Sequence, residues 1–451
     1  MTSGLRRSGC RWSGTATTAG RAVVAAALVI AALTGCTGAD PSEAPRIAST
    51  TTTTTAGASG VASPPAVSLP SAADLAAVTA VLRARAAAVV SGDVQAYAGR
   101  VADSSSAQGR RQLAAFGAAR ALRVTRLSLG AVTVDPMSAA TDFDSLGVRA
   151  PMAYRLDDLD LGDRTTEVSF VMRRGEVGGW SVVSESADGA GAPPWVVMPD
   201  LRVRRGEHAV VAGTVPDSQL SGHVRVVDRA VPDLRRDWSR TPDHVLVLAP
   251  SRAQEADALL GRAPGSGVAA VAATTEGPTS ADGRATGDRV VLDPTASARL
   301  TAVGRDVVLT HELAHVAVRA SVAGRAAGWL SEGYADHVGY DRANLPDARL
   351  LEPLLAEVRA GRLPADLPRV AELDPGSGAI EVPYLAAWQA VELIADEHGE
   401  AALRRLVIAG SATGSEADAE TATDRALQRV LDMSRVDLTR AWQQRLRDLA
   451  R

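Results

Sequence analysis

The pattern of apolar residues changes at "GAPPW", residues 191–195. Before this point, two helical segments precede runs that alternate apolar and polar residues, which is typical of an antiparallel sheet. After it, apolar runs such as "HVLVLAP" alternate with helical segments, and the chain beyond Tyr340 is mostly helical. At 451 residues the chain also exceeds the size at which a single core grows comfortably. The sequence therefore predicts an α+β protein with two folded domains, at 71–190 and 196–451.

Residues 1–35 have the composition of a secretory signal. Four arginines and no acid precede an apolar run from Ala22 to Cys36, which is too short to be a stable membrane span. The run ends in "LTGC", which resembles the bacterial lipobox, in which small residues precede a cysteine that is diacylated and becomes the new N-terminus. We therefore predict lipidation at Cys36 and a location on the extracytoplasmic face of the cell membrane. The alternative is an ordinary signal peptide with a chance cysteine.

Residues 36–70 are rich in Thr, Ser, Ala and Pro, which predicts a disordered tether. Removal of the signal would leave 44 arginines against 52 acids, a net charge of −8, so no basic surface for nucleic acid is expected. Of the two cysteines, Cys10 would leave with the signal and Cys36 would carry lipid. Any metal site would then have to use histidine and carboxylate ligands.

The motif "HELAH" at 311–315 places two histidines four residues apart. On a helix, both rings lie on one face about one turn apart and can share a metal ion. Glu312 directly follows His311, an offset that suits a general base beside a metal ion rather than a ligand. The surrounding residues are apolar nearly all round, so this helix is expected to be buried. The alternative is a pair of core histidines, His311 and His315, that donate to backbone carbonyls.

A second acidic pair follows in "GWLSEGYADH". Ser331 is expected to cap the next helix, with Glu332 in its first turn and Asp336 one turn later. Here the sequence resembles the gluzincin metallopeptidases, in which HExxH is completed by a glutamate on a following helix. "WLSEG" is close to the "WLNEG" of the aminopeptidase branch, and the spacing from Glu332 to Asp336 matches the ExxxD of the thermolysin-like branch.

The resemblance implies a zinc peptidase that acts on a peptide or protein substrate. The resemblance implies that the Zn²⁺ ligands are His311, His315 and Glu332. It also implies that Glu312 is the base and that Asp336 orients His311. Three protein ligands leave one position of a tetrahedral ion for a water molecule, whose pKa zinc lowers to about 7. A closed structural site would need a fourth protein ligand.

The gluzincin family also uses a tyrosine or histidine to stabilise the charge that develops on the reacting carbonyl. Tyr384 opens "PYLAAWQAVELIADEHG", which is predicted to be helical, and its hydroxyl is expected to lean into the cleft. The alternative is a core tyrosine, with Tyr340 or His398 in this role. The chain lacks the "GxMEN" stretch of the aminopeptidase branch, so endopeptidase action is favoured. "VAAVAA" at 268–273 is either the sheet edge along which a peptide lies or a central strand.

Residues 71–190 resemble the NTF2-like cone, since helices come first and a curved antiparallel sheet ends in "GGWSVV". No cluster of Asp and His marks this region as catalytic, which favours a spacer or a binding module. The sequence as a whole predicts a lipid-anchored zinc metallopeptidase. Its rival is a binding lipoprotein that keeps the metallopeptidase scaffold with little or no turnover.

Overall fold

The computed structural model describes residues 24–26, 70–135, 144–176, 178–187, 189, 191–263, 273–341, 347–374 and 380–451. Most of the predicted signal, Cys36 as the predicted lipidation site, the predicted tether up to residue 69 and residues 268–272 of "VAAVAA" lie outside these ranges. The described chain begins with a short strand, β1 (Val24–Ala26). The predicted α+β class is confirmed.

The described residues between 70 and 190 form three helices and an antiparallel sheet. The helices are α1 (Ala72–Ser91), α2 (Val94–Ala98) and α3 (Ala107–Ala121). The strands are β2 (Val124–Leu129), β3 (Thr133–Val134), β4 (Ser145–Leu156), β5 (Arg164–Arg174) and β6 (Trp180–Ser186). The strand order is β2-β4-β5-β6, and β3 pairs with β4. Ser71 and Asp74 form a capping box that starts α1, and Gly92 ends it with a φ of 79°.

The second region builds a mixed sheet in the order β1-β10-β11-β9-β8-β7. Its strands are β7 (Arg202–Arg205), β8 (Ala209–Gly213), β9 (Val245–Ala249), β10 (Ala273–Glu276) and β11 (Arg289–Leu292). The pairs β8–β9 and β9–β11 are parallel, and the other pairs are antiparallel. Helix α4 (Pro194–Val197) precedes these strands, α5 (Asp217–Asp237) and α6 (Ala253–Leu260) connect them, and α7 (Pro294–Ser297) follows β11.

The rest of the described chain is helical. It consists of α8 (Ala302–Ser321), α9 (Gly328–Asp341), α10 (Asp347–Leu350), α11 (Glu352–Arg359), α12 (Glu381–His398), α13 (Glu400–Gly410), α14 (Glu416–Leu431) and α15 (Arg435–Leu449). Among the residues that the structure describes, no helix combines the length and apolar character needed to cross a membrane.

The mixed sheet is covered on both faces. Val211, Val247 and Val290 belong to the hydrophobic cluster of α5 and α8. Their neighbours along each strand point the other way and belong to the cluster of the N-terminal region. A buried ion pair between Asp160 and Arg289, 2.6 Å long, also joins the two regions. The N-terminal region therefore supplies one of the two layers that bury this sheet.

Candidate metal centre

The helix that carries the HExxH motif, α8, is buried along most of its length. The Thr301 side chain caps its start by accepting a hydrogen bond from the Gly304 amide. Every residue from 307 to 317 is buried, as the helix packs against α5, α9, β10 and β11. The polar side chains on this stretch must therefore find their partners inside the protein.

His311, His315 and Glu332 bring three donor atoms to one point. The Nε2 atoms of the two histidines are 3.1 Å apart, and Glu332 Oε2 lies 3.4 Å from each of them. A tetrahedral ion with ligands at about 2.0–2.1 Å separates those ligands by about 3.3 Å. Glu332 Oε2 is also buried without a hydrogen-bond partner among the described residues. These three residues can hold a metal ion.

Glu332 reaches this point from α9, whose start differs from the prediction. The helix begins at Gly328, so Ser331 lies inside it and the predicted cap at Ser331 is wrong. The start is held by α14, where Thr423 Oγ1 and Glu416 Oε1 each accept a hydrogen bond of 3.0 Å from a backbone amide. These partners are 96 and 88 residues away in the chain, so no local pattern indicates them.

Two glycines let α9 approach the helices on either side of it. A Cβ atom on Gly333 would lie 2.5 Å from the Ala387 carbonyl oxygen on α12. A Cβ atom on Gly339 would lie 3.2 Å from the Val307 carbonyl oxygen on α8. The absence of side chains at both positions allows α9 to sit between α8 and α12, so three helices contribute to one site.

Asp336, one turn beyond Glu332, contacts the ring of His311. Its Oδ1 atom lies 2.7 Å from Nδ1 of the histidine, and both side chains are buried. This contact leaves Nε2 of the ring facing the donor cluster. Burial alone would lower the pKa of His311, but Asp336 and Glu332 outweigh it and raise the pKa to about 10. The two carboxylates thus create a negative potential that favours a cation.

Glu312 lies in the same cluster but turns toward the sheet. Its Oε2 accepts a hydrogen bond of 2.6 Å from the hydroxyl of Thr275, a fully buried residue on β10. Its Oε1 is buried without a partner in the described part of the chain. Burial raises the pKa of Glu312, against the lowering effect of both histidines and of Thr275. Thr275 was not anticipated from the sequence, where no motif marks it.

Tyr384 extends from the first turn of α12 toward the donor cluster. Its hydroxyl lies within hydrogen-bonding reach of Glu332. Burial raises the pKa of Tyr384 well above its usual value, and Glu332, Asp336 and Glu312 raise it further. This tyrosine therefore stays protonated and can donate a hydrogen bond.

The other aromatic and histidine candidates have different surroundings. Tyr340 packs against Trp388, with ring centroids 4.4 Å apart. His398 is exposed at the end of α12. His337 lies between Glu392 and Glu400, at 2.8 and 3.0 Å, as expected for a residue that points away from the donor cluster.

A cavity of about 330 Å³ opens beside His315. Small residues form much of its wall: Gly283, Ala285, Gly324, Ala326, Ala412 and Gly414. Tyr334 and Ser331 of α9 also border it. The donor cluster therefore adjoins a space in which a side chain of a bound molecule fits.

A scan against protein-family models found no match to this chain, and a search of curated proteins found no relative.

Proposed function

We propose that this protein is a zinc-dependent peptidase, and the observation that carries the proposal is the spacing of its three donor atoms. Separations of 3.1, 3.4 and 3.4 Å match the edge of about 3.3 Å expected around tetrahedral zinc. Two imidazoles and one carboxylate are a ligand set of catalytic zinc sites, which keep a fourth position open. The contact from Asp336 to His311 is the support that a metal-bound histidine usually has.

When bound, zinc would polarise the scissile carbonyl and lower the pKa of a water molecule to about 7. Glu312 would accept the proton of that water on Oε1, the oxygen left without a partner among the described residues. Thr275 fixes the other oxygen and so sets the direction of the carboxylate. The raised pKa of Glu312, caused mainly by burial, also suits it to pass the proton on to the leaving amine.

Tyr384 would stabilise the negative charge that develops on the carbonyl oxygen. Its phenol keeps its proton because burial and three carboxylates raise its pKa. Its hydroxyl lies within hydrogen-bonding reach of Glu332, one of the three donor residues, which supports this role. A donor already fixed in a buried site needs little reorganisation during the reaction.

An extended peptide segment is the proposed substrate, and endopeptidase action remains the favoured form. Strand β10 carries Thr275 beside Glu312, and the outer edge of β10 accepts the antiparallel strand β1. Removal of the predicted signal would take β1 away and free this edge. A peptide added along it would then pass the donor cluster, with one side chain in the cavity beside His315. The sequence "LTGC" supports a place outside the cell membrane, with diacylated Cys36 as the anchor.

The test combines a metal count with an assay on casein, an unstructured substrate. We expect about one zinc per chain and cleavage that stops on removal of the metal. Glu312→Gln should retain zinc and fold but lose turnover, because only the base is lost. His315→Ala should lose the metal as well. The matched control is Glu357→Gln on α11, a partly exposed residue outside the cluster that pairs with Arg362.

The outcomes separate the proposal from its rival. Zinc without cleavage of casein or of a broad peptide library would favour a binding lipoprotein. Near-normal turnover in Glu312→Gln would refute the assigned base. Absence of bound zinc in a folded protein would refute the metal site itself.

A further inference from the structure

A second crevice lies at the end of the mixed sheet where the parallel strands β8, β9 and β11 finish. Residues after these strands line it, including Val215, Ser251 and Pro294, together with parts of α5 and the first turn of α8. Its volume is about 820 Å³, within the range of small-molecule sites, which is about 300–1,000 Å³. Open sheets commonly bind ligands at the carboxyl ends of parallel strands.

The charge of this crevice is positive. Arg225, Arg229 and Arg305 line it, and Asp306 is the one acid among its described lining residues. Asp306 lies 3.4 Å from Arg229 and so offsets one of the three arginines. Arg225 is exposed and forms no ion pair or hydrogen bond within the described chain. The chain as a whole has a net charge of −4, so this crevice differs in sign from the rest of the protein and attracts anions.

The pKa of His223 is affected by the positive charge of this crevice. Burial and the nearby charge of Arg305 lower the pKa of His223 to about 4, so the ring is neutral at pH 7. Its ring nitrogens make no hydrogen bond within the described chain, although the residue borders the crevice. Arg305 is held in place because Nη1 donates to the Leu300 carbonyl oxygen, at 2.5 Å. One arginine is therefore fixed, one is free to move, and a neutral imidazole lies beside them.

We propose that this crevice, which we call the arginine crevice, binds a small molecule that carries a phosphate or carboxylate group. Arg225 and Arg305 would pair with the anion, since guanidinium groups match both oxyanions in shape and charge. His223 would donate one hydrogen bond to it. The rest of the ligand would lie over the apolar rim formed by Val215, Pro294 and their neighbours. This site needs no metal and does not depend on the proposed peptidase activity.

The test compares three probes that share one ring: glucose, glucuronate and glucose 6-phosphate. Calorimetry on the purified chain at constant ionic strength should show binding of at least one anionic probe, with a Kd of about 1 mM or tighter, and no binding of glucose. Stronger binding of glucose 6-phosphate identifies a phosphate ligand, and stronger binding of glucuronate a carboxylate. The bound negative charge should also raise the pKa of His223 in an NMR titration, because it opposes Arg305.

Arg225→Glu is the decisive variant because an exposed side chain without partners can change with little effect on folding. It should weaken anion binding at least about tenfold, the loss of one charged contact. Arg447→Glu, the same change at an exposed site on α15, should alter it less than twofold. Absence of binding by both anionic probes up to about 20 mM would overturn the proposal. Binding that survives Arg225→Glu but is lost in His315→Ala would place the anion at the metal centre and overturn it equally.

Discussion

Replacement of Thr275 by valine tests how the sheet controls the proposed base. Valine keeps the shape of threonine but removes the hydroxyl that donates to Glu312 Oε2 at 2.6 Å. Because Thr275 is fully buried, no water can replace that donor without a rearrangement. A hydrogen bond to a charged group contributes about 1.5–3 kcal/mol. We therefore expect the free energy of unfolding to fall by about 1–3 kcal/mol.

The same substitution should slow the reaction and change its pH dependence. If the lost contact is expressed in the transition state, kcat/KM at pH 7 falls by about ten- to a hundredfold, since 1.4 kcal/mol is a factor of ten. Burial raises the pKa of Glu312 and Thr275 opposes that rise, so the pKa increases further in the variant. A base must be ionised to act, hence the acidic limb of the rate profile should move to higher pH.

Thr275→Ser is the matched control because it removes only a methyl group and keeps the donor. It should retain the wild-type pH profile, and both variants should bind one metal ion. Equal losses in the serine and valine variants would assign the effect to packing. A valine variant with unchanged stability, rate and acidic limb would refute the role of this hydrogen bond.

Four further predictions concern the helices around the donor cluster. Asp336→Asn should weaken zinc affinity by about 10- to 100-fold in a competition titration, and a change below twofold would contradict its role on His311. Tyr384→Phe should lower kcat about 10²- to 10³-fold with zinc content unchanged; an unaltered kcat would exclude it as the donor. Gly333→Ala should cost about 1–3 kcal/mol in urea unfolding, because its Cβ would lie 2.5 Å from the Ala387 oxygen. The control for this change is Gly117→Ala on α3, where a Cβ meets nothing within 4 Å and the substitution should be neutral or stabilising. Burial lowers the pKa of His337, but Glu392 and Glu400 outweigh it and raise the pKa. His337→Gln should therefore lower the free energy of unfolding by about 1–3 kcal/mol below pH 6.5. This difference from the wild-type protein should shrink as pH rises through the raised pKa of His337. A difference that does not depend on pH would contradict this.

The geometry of the donor cluster could be predicted where it depends on one helix at a time. The four-residue spacing of His311 and His315, and of Glu332 and Asp336, is fixed by the helical repeat, and the structure brings these side chains together. Thr275 could not be predicted, because it joins Glu312 across 37 residues and belongs to no motif. Whether these residues bind zinc and cut peptides remains a prediction.

The α+β class followed from the periodicity of the apolar residues. The start of α9 did not, because Thr423 and Glu416 on α14 replace a local cap. The arginine crevice could not be predicted from the sequence either, because its arginines and histidine lie on two helices whose contact is tertiary. Local periodicity thus predicts elements, whereas contacts between distant segments decide where elements begin and what lies between them.

The mixed sheet, covered on one face by the N-terminal region, has a consequence for the order of folding. A chain that is synthesised or exported from its N-terminus delivers residues 71–190 long before β11. Arg289, the partner of Asp160, lies 129 residues later in the chain, and the apolar cluster around Trp195 is complete only when β11 is present. Such long-range contacts slow folding and leave apolar surface exposed in the meantime. The early half of this chain is therefore the part whose apolar surface we expect to need protection while the chain folds.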